Sequence, residues 1–322
     1  MKKKKALITG ISGQDGAYLT KLLISKNYNV IGTSRSPNTV NLWRLKSLGI
    51  KKKIRIFDNS ILGSSNFFIT EKLDEIYNLS ASSSVSKSFK YPLKTFKSNT
   101  LDSLQILNSI YLSKRKIKYY QASSSEMFGN VNNKCNDKTK FNPLSPYAIS
   151  KLSAHQLTLN YRSNYGLFAC NGILFNHESP LRDENYVSKK IIKNLLKYKN
   201  NKNHSFKLGN IYSKRDWGHA EDYVKAMWMM LNRRLPEDFV ICTGKQHSVK
   251  DFAKLAFKQV GLDYKKYVVT DKKLYRPSEV DSLLGSCKKA KSKLKWRPEY
   301  NFEKLVKDMV EEDLKFVQKE GY

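Results

Sequence analysis

Two hydrophobic periods alternate along the first half of the chain. Short runs of β-branched and aromatic residues at Lys5–Thr9, Asn29–Thr33, Ile54–Phe57, Glu75–Leu79 and Lys118–Ala122 have the length and make-up of buried strands. Between them Gln14–Ser25, Leu42–Leu48, Asn66–Leu73 and Thr100–Leu112 read as helices. In the first of these Tyr18, Leu19, Leu22 and Leu23 fall on one face. Such alternation predicts an α/β fold in which a parallel sheet is covered on both sides.

The pattern continues with a helix from about Tyr147 to Asn164, its start marked by Ser145 as N-cap and Pro146 at the first helical position. Leu167–Leu174 follows as another buried strand, and Asn176–Tyr186 is polar and irregular. Helical spacing returns at Val187–Tyr198, Glu221–Asn232, Lys250–Val260 and Phe302–Lys319, with one more strand at Phe239–Cys242. No repeat or low-complexity linker separates two units. The expected organisation is therefore interleaved: residues 1–175 with about 209–242 form a nucleotide-binding domain, and about 176–208 with 243–322 form a smaller, mixed α/β substrate lobe.

Composition narrows the partners. The 322 residues are 40% hydrophobic and 12% aromatic, enough for a sizeable core, which excludes a disordered chain. Lys and Arg number 59 against 28 Asp and Glu, a net charge of +31 that favours anionic partners. The lysines are dispersed rather than gathered in a stripe interleaved with stacking aromatics, so nucleic acid is not the expected partner. Residues with AT-rich codons (Lys, Asn, Ile, Tyr) abound, and base composition explains the same excess. The densest apolar stretch, Ala226–Leu231, is far short of the ~20 residues of a membrane span. Lys2–Lys5 leads into only three apolar residues, too few for a signal-peptide core. Cys135, Cys170, Cys242 and Cys287 form no Cys-x-x-Cys pair, and no metal site is expected; they read as reduced thiols of a cytoplasmic protein.

The chemistry begins at the first strand–helix junction. Gly10-Ile-Ser12-Gly13-Gln14-Asp15-Gly16 has Gly-x-x-Gly-x-x-Gly spacing between a strand and a helix. The first glycine permits a tight turn, the second a close approach to a pyrophosphate, the third helix–sheet packing; the helix N-terminus faces the anion. This predicts a Rossmann-type, doubly wound sheet. The cofactor ribose would be met at Thr33–Ser36, where Arg35 stands and no acid does; Arg35 suits a 2′-phosphate, favouring NADP over NAD, or is a solvated surface charge. Tyr147 and Lys151 lie one helical turn apart on the same face. A phenol with pKa near 10 is a poor base until cations stabilise its phenolate, which an ammonium and a positively charged nicotinamide would do. The strand end Tyr120-Gln-Ala-Ser-Ser-Ser-Glu126-Met-Phe-Gly129 would bring Ser124 and Glu126 to the carboxyl edge of the sheet, beside the cofactor.

Across nearly its whole length the sequence resembles the GDP-mannose 4,6-dehydratase family of the extended short-chain dehydrogenases/reductases. The resemblance is carried by the glycine loop, Tyr120–Gly129, Ser145–Lys151, Asn171–Pro180, Arg215–Ala220 and Tyr275–Val280. It implies that Tyr147 deprotonates the 4-hydroxyl of GDP-mannose while Ser124 binds that oxygen. Lys151 holds the cofactor ribose, and Glu126 drives elimination of water across C5 and C6. It also implies cofactor contacts from Gly10, Ser12, Gly13, Gln14, Asp15, Gly16, Arg35, Asp58, Leu79, Ser80, Ala81, Ser83, Lys151, His177 and Arg182. Implied substrate contacts are Asn176, Glu178, Lys190, Arg215, Arg276 and Glu279, the last suited to guanine N–H groups. Homodimers or homotetramers are implied as well. The chain departs from the family's pattern in having one arginine, not two, at Arg35-Ser36. It departs also in the serine run Ser80–Ser84 and in an acid, Asp183, where glycine is usual. A 4-epimerase or 4-reductase of the same fold is disfavoured by Glu126. A non-catalytic NADP- or nucleic-acid-binding protein is disfavoured by the intact Tyr147–Lys151 pair.

Overall fold

The strands expected in the first half all form, each within two residues of its predicted bounds. The computed structural model describes residues 3–37, 41–200, 205–275 and 280–320, with the backbone alone for 198–200 and 316–320. In chain order the described strands are β1 (Lys5–Thr9), β2 (Asn29–Ser34), β3 (Arg55–Asp58), β4 (Glu75–Asn78), β5 (Lys118–Ser124), β6 (Ala169–Leu174), β7 (Asn176–Glu178), β8 (Phe206–Leu208), β9 (Lys214–His219), β10 (Phe239–Ile241), β11 (Gln246–Ser248), β12 (Val268–Thr270) and β13 (Ser282–Leu283). Seven of them form one parallel sheet in the order β10-β6-β5-β4-β1-β2-β3. The order reverses between β1 and β4, and the carboxyl ends of these two strands open a crevice, the usual ligand position in such sheets.

Helices cover both faces because β1, β4, β5 and β6 bury nearly every side chain. One face is packed by Gln14–Ser25 and Ala220–Leu231, the other by Ser65–Thr70, Asp102–Leu112 and Pro146–Asn164. The helix carrying Tyr147 starts as predicted: Ser145 Oγ accepts the Ala148 N–H at 3.1 Å, a cap contributing about 1 kcal/mol, and Pro146 follows. Its far end is held by Arg162, which grips the Asp238 carboxylate with both terminal nitrogens at 2.8 and 3.1 Å. Asp238 also accepts the Asn171 N–H of β6. The far end of the helix is thereby pinned to the sheet, and near its start Lys151 Nζ donates to Ala122 O of β5 at 2.6 Å, which together fix the pose of Tyr147 and Lys151.

The smaller lobe holds a four-stranded sheet in which β9 is flanked by β11, β13 and β7, and a two-stranded pair β8–β12. Two differences from the sequence reading arise here. Asn176–Glu178, expected to be irregular, pairs with β9 as a short strand. Residues 214–219, assigned to the nucleotide-binding domain, are the centre of the small sheet, and 280–296 pack against the large core through Val280, Leu283, Ala290, Leu294 and Trp296. The strand β9 (Lys-Arg-Asp-Trp-Gly-His) has no apolar run. It is buried because its polar groups find partners: Asp216 accepts the N–H groups of Thr243 and Gly244, each at 2.7 Å. Among the described residues no helix is long and apolar enough to cross a membrane.

Candidate active site

The crevice is floored by the glycine loop. Gly10 has φ +66°, and a side chain there would lie 2.9 Å from Ser80 Cα; a Cβ on Gly16 would lie 2.5 Å from Gly10 O. Thr9 Oγ1 accepts the N–H groups of Leu79 and Ser80 at 3.1 and 3.0 Å and donates to Asn78 Oδ1 at 2.7 Å, so β1 holds the loop after β4 against the glycine turn. The helix Gln14–Ser25 begins at Gly13 with no side chain capping it, which leaves its first N–H groups facing the crevice. Thr33 Oγ1, at the end of β2, is buried without a protein partner. A close-approach turn, an uncapped helix end and an orphaned hydroxyl along one edge fit a dinucleotide. Arg35 and Asp58 lie exposed at the carboxyl ends of β2 and β3, Asp58 accepting the Ser60 N–H. Leu79, Ser80 and Ala81 are half-buried, and Ser83 is exposed.

The expected catalytic group comes together at the end of β5. Ser124 Oγ accepts the Glu126 N–H at 3.3 Å, and the Ser124 hydroxyl faces the Tyr147 phenol and favours its ionised form. Burial pushes the Tyr147 pKa well above 10; Ser124 and Arg182 oppose the rise, while Tyr186 and Glu126 add to it. Lys151 is buried, its Nζ donating to Ala122 O at 2.6 Å, and burial pulls its pKa down to about 8. The ammonium is thus anchored to the β5 backbone one turn from the phenol. Phenol and carboxylate share one end of one strand, an arrangement able to take a hydroxyl proton and a carbon-bound proton from one substrate.

Segment 176–186 closes the crevice from the other lobe. His177 Nδ1 lies 2.7 Å from Phe175 O and its Nε2 2.8 Å from Asp15 Oδ2. Both partners are acceptors, so both ring nitrogens donate and the imidazole is cationic. Burial disfavours that charge, yet Asp15 and the Phe175 carbonyl raise the His177 pKa above 6.5. Burial likewise disfavours ionised Asp15, yet His177 and Gln14 hold it below 3.8. Asp15 and His177, both expected to touch cofactor, therefore bind each other. Gln14 joins them by accepting the Ser179 hydroxyl at 2.7 Å. The sign of the pH dependence follows. The raised histidine stabilises fully below 6.5 and loses its contribution as pH rises through its folded pKa; the depressed aspartate contributes above 3.8. The melting-temperature gap between wild type and Asp15→Asn should be widest between those two values and narrow at alkaline pH, as thermal scans across pH will measure.

Other expected residues are placed differently. Glu178 is buried and committed: it accepts the Ser188 hydroxyl at 2.6 Å and pairs with Arg182 at 2.9 Å, so it holds Arg182 rather than facing solvent. Asn176 lies in β7, half-buried. Lys190 Nζ donates to Lys207 O at 2.8 Å, and Arg215 is buried in β9. Arg276 and Glu279 lie outside the described residues. Asp183 accepts from Asn185 and stands 3.9 Å from Arg44, which offset its charge. Arg44 was not singled out in the sequence. It donates to Leu181 O at 2.6 Å and Ser12 O at 3.2 Å, tying the glycine loop to segment 176–186. Among 59 basic residues nothing in its local pattern distinguishes it.

This fold, with a Tyr-x-x-x-Lys pair beside a glycine-rich dinucleotide turn, defines an enzyme scaffold of the extended short-chain dehydrogenase/reductase class. Solved structures share it. UDP-glucuronic acid 4-epimerase from Bacillus cereus superposes with a TM-score of 0.86 over 97% of this chain and 99% of its own, at 21% identity. dTDP-glucose 4,6-dehydratase from Bacillus anthracis, in complex with NAD, superposes at 0.84 over 98% of each chain, at 20% identity. The sequence model of GDP-mannose 4,6 dehydratase matches residues 7–309. GDP-mannose 4,6 dehydratase 1 of Arabidopsis thaliana is 45% identical over 99% of this chain and 92% of the relative; the Homo sapiens enzyme is 41% identical over 97% and 92%. The chain belongs to the GDP-mannose 4,6-dehydratase family.

Proposed function

We propose that this protein converts GDP-mannose to GDP-4-keto-6-deoxy-mannose, with NADP as a retained cofactor. The observation that carries the reading is the juxtaposition of Glu126, Ser124 and the Tyr147 phenol at the carboxyl end of β5. A bound nicotinamide cofactor would supply the hydride exchange, from C4 of the sugar and back to C6, and a positive charge that favours the phenolate. Tyr147 takes the 4-hydroxyl proton, and Ser124 hydrogen-bonds the 4-oxygen. The resulting ketone acidifies the C5 proton; Glu126 removes it and delivers a proton to the departing 6-hydroxyl, which leaves as water, and C5 then takes back a proton, equal to the one Tyr147 removed, as hydride reaches C6. Lys151, held on Ala122 O, is the residue proposed to hold the cofactor ribose. Arg35 at the end of β2 supports NADP over NAD. Asn176, Lys190 and Arg215 are proposed on the substrate side with Arg276 and Glu279. Asp58, Leu79, Ser80, Ala81 and Arg182 are proposed on the cofactor side; Ser83, expected there, instead meets the Tyr186 hydroxyl at 2.6 Å. A cytoplasmic homodimer or homotetramer completes the reading. The test is incubation of purified protein with GDP-mannose and NADP, followed by mass spectrometry. The expected product is lighter than substrate by one water, and unchanged substrate contradicts the proposal.

A further inference from the structure

Side-chain links tie segment 176–186 to the large sheet domain. Gln14 with Ser179, Asp15 with His177 and Arg44 with Leu181 O gather on the phosphate-loop side. Another link lies at the loop after β4: the Tyr186 hydroxyl meets the Ser83 hydroxyl at 2.6 Å, and Ser83 is exposed. Tyr186 immediately precedes the helix Val187–Asn200, whose Lys190 N–H it accepts at 2.8 Å. Its ring is pinned on the Arg182 guanidinium, 3.6 Å from the ring centroid, and Arg182 is itself paired with Glu178. The loop that carries Ser83 is tied to the helix of Tyr147 through Asn99, which accepts the Ser82 N–H at 2.7 Å and donates to Ser150 Oγ at 2.9 Å, so this second phenol lies on the catalytic side of the crevice.

A hydroxyl pair at a solvent-reachable edge exchanges readily. Each oxygen both donates and accepts, so a sugar hydroxyl or phosphate oxygen replaces either partner without leaving an orphan. A ring already fixed by its cation loses little further freedom when its hydroxyl engages a ligand. We propose that Tyr186 is a substrate-positioning residue: its hydroxyl, held by Ser83 before substrate arrives, passes to an oxygen of the bound nucleotide sugar on the hexose side of the diphosphate. This rests on the nucleotide-sugar reading above and adds a binding group to it. Ser83 and Tyr186 then act as one unit.

The test is steady-state kinetics of the holoenzyme on GDP-mannose for wild type, Tyr186→Phe, Ser83→Ala and the double variant, with retained cofactor measured after gel filtration. Phenylalanine keeps the Arg182 stack and removes only the hydroxyl. The expected result is a KM raised roughly 3- to 10-fold, the value of one hydrogen bond, with kcat within about twofold and cofactor retention equal to wild type. The double variant should be no worse than Tyr186→Phe, because the two hydroxyls serve one contact. An unchanged KM, a fall confined to kcat, lost cofactor retention, or additive effects of the two substitutions overturns the inference while wild-type turnover keeps the proposed function standing. A wild type that leaves GDP-mannose unchanged overturns both.

Discussion

Glu126→Gln is expected to oxidise GDP-mannose at C4 and then stop. The amide keeps the size of the side chain and leaves the backbone N–H that Ser124 Oγ accepts at 3.3 Å, so Ser124 and Tyr147 remain in place for the first step. What is lost is the role proposed for the carboxylate, removal of the C5 proton and protonation of the leaving hydroxyl. Loss of a positioned acid–base group lowers the rate about 10²- to 10⁴-fold. Rapid quench of a single turnover should therefore show an enzyme-bound hexose two hydrogens lighter than substrate, with water loss suppressed by that factor. Water released at the wild-type rate would remove Glu126 from the elimination step.

Tyr147→Phe should stop the reaction one step earlier. The phenol is buried and its pKa is raised by that burial, with Ser124 pulling the other way. It is a protonated group waiting for positive charge to arrive beside it. Deleting the hydroxyl removes the base proposed for the 4-hydroxyl proton but leaves the ring, the Ser145 cap and the Arg162–Asp238 anchor untouched. Turnover should fall by about 10²- to 10⁴-fold with neither the oxidised hexose nor the dehydrated product formed. Binding of GDP-mannose, followed by calorimetry, should change little. The contrast between the two variants is the informative part: one accumulates a ketone and the other does not. Accumulation of ketone by Tyr147→Phe would place the proton acceptor elsewhere.

The parts of this site that follow local rules were legible from the residues. The glycine spacing, the Ser145–Pro146 helix start and the one-turn offset of Tyr147 and Lys151 are each set within a few neighbouring positions, and the structure places them as those spacings require. The direct support of the phenol by Lys151 was less so, because it depends on where the ammonium ends up. Ala122 O takes it at 2.6 Å. Links across the two lobes were not legible. Asp15 and His177 are 162 positions apart, and Arg44 and Leu181 are 137 apart. Glu178 looked like a substrate ligand until the fold supplied Arg182 and Ser188. The β9 strand escaped notice for a related reason: its burial is made possible by partners such as Thr243 and Gly244 rather than by apolar side chains. Asp183, an acid beside a presumed phosphate site, is accounted for by Asn185 and Arg44.

One site that oxidises C4, eliminates water and reduces C6 with the same hydride is the central claim, and isotope transfer tests it most directly. GDP-mannose carrying deuterium at C4 is incubated with the purified protein and NADP, and the product is examined by mass spectrometry and NMR. The account predicts that the deuterium appears at C6, in the new methyl group, with the product lighter by one water. A product that has lost the label, or one that keeps it at C4 with the 6-hydroxyl intact, would contradict it.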